Sequence, residues 1–178
     1  MKFRCILLGI ALCFGASTLS AQKTITLSGV PEIDNSKVGQ THWSVEVPKT
    51  QAVKVGEEIK LTFTAQVQEA GWHLYSAQPS EEFAYMPTEF YLDPDNSKDV
   101  ELAGSMNEIM TPKEEQDEVM GTIRFFEENK VAFSQGFKLT GKNPRLVGEI
   151  YGQVCLDPEQ GGKCIPLRVP VIWNFTGN

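Results

Sequence analysis

The stretch Ile59-Lys60-Leu61-Thr62-Phe63-Thr64-Ala65-Gln66-Val67-Gln68 alternates apolar and polar side chains without a break. A period of two sends successive side chains to opposite faces of an extended chain, so this stretch predicts a β-strand with one face buried and one wet. Working outward from it, Trp43–Val47, Thr88–Leu92, Gly121–Phe126, Val131–Leu139, Leu146–Val154 and Arg168–Phe175 read as further strands. Turn formers separate them at Gly56, Gly71, Pro94-Asp95-Asn96, Glu128-Asn129, Gly141-Lys142-Asn143-Pro144 and Gly161-Gly162. With no convincing amphipathic helix, the pattern predicts an all-β fold, an antiparallel sandwich of about seven to nine strands. Two segments break the pattern. Gln22–Gln40 is a polar lead-in with room for one edge strand, and the acidic Asn107–Val119 reads as a long loop or a single helical turn.

The N-terminus reads as an export signal. Lys2 and Arg4 precede the apolar run Ile6–Gly15, and small residues lead to Ala21-Gln22, where cleavage is expected. The run is short of the roughly 20 apolar residues a membrane span needs. Leu12 is bulky where lipoprotein processing at Cys13 would want a small residue, so the expected product is a released, exported protein, periplasmic or secreted. The chain divides accordingly into a signal peptide (1–21), the lead-in (22–40) and one domain (41–178), a length that suits a single core. The 178 residues hold 16 Lys+Arg against 23 Asp+Glu, a formal net charge of −7. Loss of the signal, which contains Lys2 and Arg4 and no carboxylate, makes the mature chain still more acidic. Such a charge argues against nucleic acid and anionic membranes as partners, and direct membrane insertion is not expected after cleavage.

Cleavage removes Cys5 and Cys13 and leaves Cys155 and Cys164, which an oxidising compartment should keep bonded. Cys155 ends one predicted strand and Cys164 opens the last, with turn formers between. A loop of about ten residues stabilises by somewhat less than 3 kcal/mol in the chain-entropy picture, against about 4.7 for a hundred-residue loop. The pair therefore reads either as a modest staple or as a redox couple; it is not CxxC, so no thiol activation carries over from that motif. Neighbouring Lys163 favours a thiolate at Cys164, while Asp157 and Glu159 oppose one at Cys155. No cofactor is expected. Two cysteines with the distant His42 and His73 do not make a zinc set, and a copper site from Met86, Met106, Met110 and Met120 has only composition behind it. In Gly71-Trp72-His73-Leu74-Tyr75-Ser76, aromatic side chains after a glycine turn read first as core and second as a shield over the disulfide.

Two segments together carry a resemblance. Gly71-Trp72-His73-Leu74-Tyr75-Ser76 with Pro87-Thr88-Glu89-Phe90, and Ile150-Tyr151-Gly152-Gln153-Val154-Cys155 with Cys164-Ile165-Pro166, resemble the N-terminal periplasmic domain of the DsbD thiol:disulfide interchange family over roughly residues 42–175. The resemblance implies an immunoglobulin-like sandwich carrying a redox-active pair, Cys155 and Cys164, with thiol:disulfide oxidoreductase activity through mixed disulfides. It implies thioredoxin-like redox proteins as partners, fed by a separate membrane-embedded reductase. It also implies a cap over the disulfide, whose counterpart is sought in Met106, Glu108, Ile109 and Met110, with Trp72, Tyr75 and Tyr151 as shielding aromatics. The chain departs from the family pattern in its longer inter-cysteine loop and in Leu167, where a second proline often stands. With no thioredoxin-like domain of its own, it is expected to act as a stand-alone module. The competing expectation is an immunoglobulin-like binding module whose disulfide is purely structural.

Overall fold

The computed structural model describes residues 23–36, 38–49, 52–78, 85–118 and 121–175. The signal segment, Cys5, Cys13 and Met120 lie outside them. Thirteen strands follow in chain order: β1 (Thr24–Thr26), β2 (Glu32–Ile33), β3 (Thr41–Glu46), β4 (Ala52–Lys54), β5 (Glu58–Val67), β6 (Trp72–Tyr75), β7 (Glu89–Leu92), β8 (Val100–Glu108), β9 (Lys113–Asp117), β10 (Gly121–Phe126), β11 (Lys130–Leu139), β12 (Arg145–Leu156) and β13 (Cys164–Asn174). The only helical piece among the described residues is the 3-10 turn Pro158–Gln160. The fold is thus an all-β antiparallel sandwich, with more strands than the seven to nine expected. The lead-in supplies two short strands rather than one, and Asn107–Val119 is largely strand, not loop or helical turn.

The alternating residues Ile59 to Val67 lie in β5, and their burial alternates residue by residue. It sits between β3 and β11 in a four-stranded sheet of order β3-β5-β11-β8. The facing sheet has seven strands in the order β2-β13-β12-β6-β10-β9, with β7 also on β12; β1 and β4 form a small separate pair. Every pairing is antiparallel. Aromatic rings join the two large sheets: Phe63 of β5 stacks on Phe90 of β7 at 5.6 Å, Phe90 meets Phe137 of β11 edge-on at 5.1 Å, and Phe126 of β10 meets Phe133 of β11 at 5.7 Å. Offset and edge-on rings at these separations contribute beyond the area they bury.

The seven-stranded sheet is organised around the β12–β13 hairpin, paired from Arg145↔Asn174 to Cys155↔Cys164. On its other edge β12 carries two partners in succession, β7 at Gly148–Tyr151 and β6 at Val154–Leu156. The chain between β6 and β7 leaves the sheet and returns to it. Its base is pinched where the Thr88 amide donates to the Ser76 carbonyl at 2.8 Å and the Thr88 hydroxyl donates to the Tyr75 carbonyl at 2.7 Å. Along β12 the even-numbered residues Leu146, Ile150 and Val154 enter the core, so Cys155 points to the opposite, outer face.

Candidate functional site

Cys155 and Cys164 are bonded, with Cα atoms 4.1 Å apart. They are directly opposite at the end of the hairpin, beyond the Leu156 amide's bond to the Lys163 carbonyl. Alternation of the ladder makes theirs a non-hydrogen-bonded pair, the geometry in which side chains approach most closely. The connecting turn is built by its sequence. Pro158 starts the 3-10 turn, the Asp157 carbonyl accepts from the Gln160 and Gly162 amides, and Gly161 and Gly162 take φ of 123° and 61°, a region that favours glycine. The Asp157 amide donates to the Gly71 carbonyl at 2.9 Å, which ties this turn to the start of β6. Gly71 takes a φ of 80°, a region that favours glycine.

The two sulfurs sit in different surroundings. Cys155 is 2 % exposed, whereas Cys164 is an exposed residue. Around Cys155, on the outer face of the seven-stranded sheet, Tyr75, Tyr85 and Phe125 form a second apolar cluster apart from the main core, with Ile123 against it. Tyr75 and Tyr85 stack at 4.8 Å, and the Tyr85 hydroxyl donates to the Gln78 carbonyl at 2.8 Å. Tyr85, in the segment between β6 and β7, therefore lies back over β6. Gln153 joins that segment to the disulfide: its amide oxygen accepts from the Met86 amide at 3.2 Å, and its amide nitrogen donates to the Cys155 sulfur at 3.6 Å.

Both cysteines line a cavity of about 510 Å³, with His73, Tyr75, Ile123 and Phe125 on its walls and Glu115, Asp117, Glu127, Asp157 and Glu159 among its carboxylates. Lys113 bridges Glu115 and Glu127 at 2.8 and 2.6 Å and lies over the Phe125 ring at 5.4 Å. These contacts hold its ammonium charged well above the usual lysine range. His73 stands directly opposite Cys155 on the neighbouring strand, is 8 % exposed, and packs its ring 4.6 Å from Phe125 and 5.4 Å from Tyr75. Its Nδ1 lies 3.1 Å from an Asp157 carboxylate oxygen. Burial pushes its pKa down, and the Asp157 contact opposes that only in part. Burial likewise pushes the Tyr75 phenol up, with Tyr85, Asp117 and Glu115 adding to the effect.

None of the protein-family models matches this chain, and no curated protein does either.

The sequence-predicted residues divide by sheet face. Tyr75 joins the cysteines. Trp72 is half-buried against the main core, and Tyr151 is on the outer face further along β12, where Arg168 bonds its hydroxyl and lies 5.0 Å from its ring. Met106–Met110 does not line the cavity: Met106 is buried in the main core, Met110 packs against that core, and Ile109 is exposed. Glu108 instead accepts from the Ser76 hydroxyl, the Ala77 amide at 2.7 Å and the Gln78 amide side chain at 3.1 Å, bracing the excursion. The wall facing the disulfide is β9, from the same acidic stretch a few residues on. Among the described residues no group of His, Cys, Asp or Glu is arranged to hold a metal ion, and Met106 in the core is closed to a copper site. Sequence reasoning set His73 aside; the signal that could have found it is its place two residues before Tyr75, on the same strand face.

Proposed function

We propose that this protein is an exported thiol–disulfide exchange module, passing reducing equivalents from thioredoxin-like donors to extracytoplasmic acceptor proteins through Cys155 and Cys164. The observation that carries the reading is the unequal exposure of the two cysteines within one cavity. Cys164 is open to a partner, and Cys155 is buried behind Tyr75, Tyr85 and Phe125. A purely mechanical bond has little to add at this position, because β12 and β13 are already paired along their whole length. The resemblance of the Gly71–Ser76 and Ile150–Pro166 segments to the N-terminal domain of the DsbD family supports the same assignment, as does the signal-like N-terminus for an exported location.

The reaction follows from these positions. A donor thiolate attacks the Cys164 sulfur, a new donor–Cys164 bond forms, and the Cys155 sulfur leaves as a thiolate and takes up a proton. The donor's second thiol then breaks the mixed disulfide, which leaves the donor oxidised and both cysteines reduced by two electrons. The same steps in reverse reduce an acceptor's disulfide.

Trapping tests this. Cys155→Ser keeps the exposed sulfur and removes the resolving one, so it should accumulate a mixed disulfide with a thioredoxin-like protein, whereas Cys164→Ser should not. The native couple should titrate between about −120 and −270 mV, the range of exported and cytosolic thioredoxin-like proteins. A potential below about −300 mV, with no trapped adduct on either variant, would leave the binding-module reading with a structural disulfide.

A further inference from the structure

His73 and Asp157 belong to no part of the scheme above, yet the fold places them beside the sulfur that must resolve each mixed disulfide. We propose that His73, oriented by Asp157, is the base that takes the proton from the Cys155 thiol when it attacks the Cys164 mixed disulfide; this inference rests on the exchange reading.

Three observations carry it. Cys164, Cys155 and His73 are register partners across three adjacent strands, so they form one row on the outer face of the sheet. Directly opposite residues on antiparallel strands hold their Cβ atoms about 4.5–5.5 Å apart, which makes the imidazole and the sulfur side-by-side neighbours in this row. Second, the ring is fixed. Phe125 and Tyr75 pack on it, and Nδ1 meets Asp157 at 3.1 Å. An ionised carboxylate only accepts, so Nδ1 is the donor and Nε2 of the neutral ring is left with its lone pair. Third, the surroundings oppose spontaneous ionisation of Cys155. It is buried, and the cavity carries Glu115 and Asp117 from β9, Glu127 after β10, and Asp157 and Glu159 from the turn, with Lys113 engaged by Glu115 and Glu127. Burial and like charge both disfavour a negative sulfur there, against a single long donor contact from Gln153 at 3.6 Å, so a buried thiol in this row needs a neighbour to receive its proton. Burial also keeps His73 neutral and able to accept.

The step balances. His73 Nε2 takes the Cys155 proton, the resulting thiolate forms the Cys155–Cys164 bond, and the Cys164–partner bond breaks. The partner sulfur leaves with the electron pair and is protonated from solvent.

The test uses oxidised glutathione as the probe on reduced protein, with acid quenching, alkylation and mass spectrometry to follow the Cys164–glutathione adduct. In the native protein the adduct should be transient. In His73→Gln and His73→Phe its resolution at pH 7 should slow by roughly tenfold to a hundredfold, at or below the usual range for a lost general base. The difference should narrow as pH rises well past the ordinary thiol value near 8.5, into the range where the buried Cys155 thiol ionises unaided. That convergence is a signature a merely structural role would not produce. Resolution as fast as in the native protein at every pH, in a folded variant, overturns the role of His73 and leaves exchange standing. Failure of the native protein to form or resolve any adduct overturns the exchange reading and this inference together. Should the His73 variants not fold, Asp157→Asn decides, since that side chain is 45 % exposed: slower resolution at neutral pH upholds the proposal, and an unchanged rate overturns it.

Discussion

At the residue scale, His73 couples the site to pH through the fold as well as through chemistry. Burial holds its folded pKa below the ordinary value, with Asp157, Glu115 and Glu127 pulling the other way. A group with a depressed folded pKa binds fewer protons folded than unfolded, so stability is fully present above the unfolded value and is lost as pH falls through the folded one. Urea unfolding midpoints of the native protein are therefore expected to be level above about pH 7 and to decline below about 6.5. In His73→Gln that decline should be absent down to the range where the carboxylates titrate. How much of this was legible in the sequence differs residue by residue. Cys155 and Cys164 could be paired because the expected removal of a signal would leave no other cysteine. The His73–Asp157 contact could not be read, because its partners are 84 positions apart and meet only through the register of β6 on β12.

At the scale of elements, the excursion between β6 and β7 is held at its base by Thr88. The Thr88 side chain is fully buried, and its hydroxyl satisfies the Tyr75 carbonyl. Thr88→Val keeps the shape and removes that donor, so it should cost about 1–3 kcal/mol by urea denaturation. It should also speed reduction of the disulfide by dithiothreitol, because Tyr85 on the excursion would cover Cys155 less firmly. The strands that sequence reading found are those with one wetter and one dry face, β5 and β12 above all. It missed β9 because Lys113-Glu114-Glu115-Gln116-Asp117 is polar on both faces. This strand pairs only with β10, and a charged edge strand resists pairing with other chains, so the absent alternation is itself physically sensible. It missed β8 because Ala103-Gly104-Ser105 dilutes the pattern, with only Val100 and Met106 buried along it.

At the scale of the whole molecule, the disulfide lies apart from the main core. The bond closes a short hairpin on the outer face, while the core runs between the sheets through Phe63, Phe90, Phe126, Phe133 and Phe137. Reduction should therefore lower stability by less than about 3 kcal/mol, and Tm by no more than about 12 °C. Far-ultraviolet circular dichroism of the reduced protein should match that of the oxidised form. A protein that melts on reduction at room temperature would mark the bond as structural. The sandwich as a whole was legible because the two large sheets bury one face each, whereas the outer-face cluster around Cys155 interrupts that rule and was not. β12 carries β7 and β6 end to end along one edge. Since the ladder is continuous on either side of the Ser76–Thr88 pinch, the chain between them is a natural splice point. A foreign peptide grafted there would be carried between two paired strands, and each doubling of the insert would cost only about 0.6 kcal/mol in closure entropy. The scaffold could thus accept a recognition tag between β6 and β7 without being redesigned.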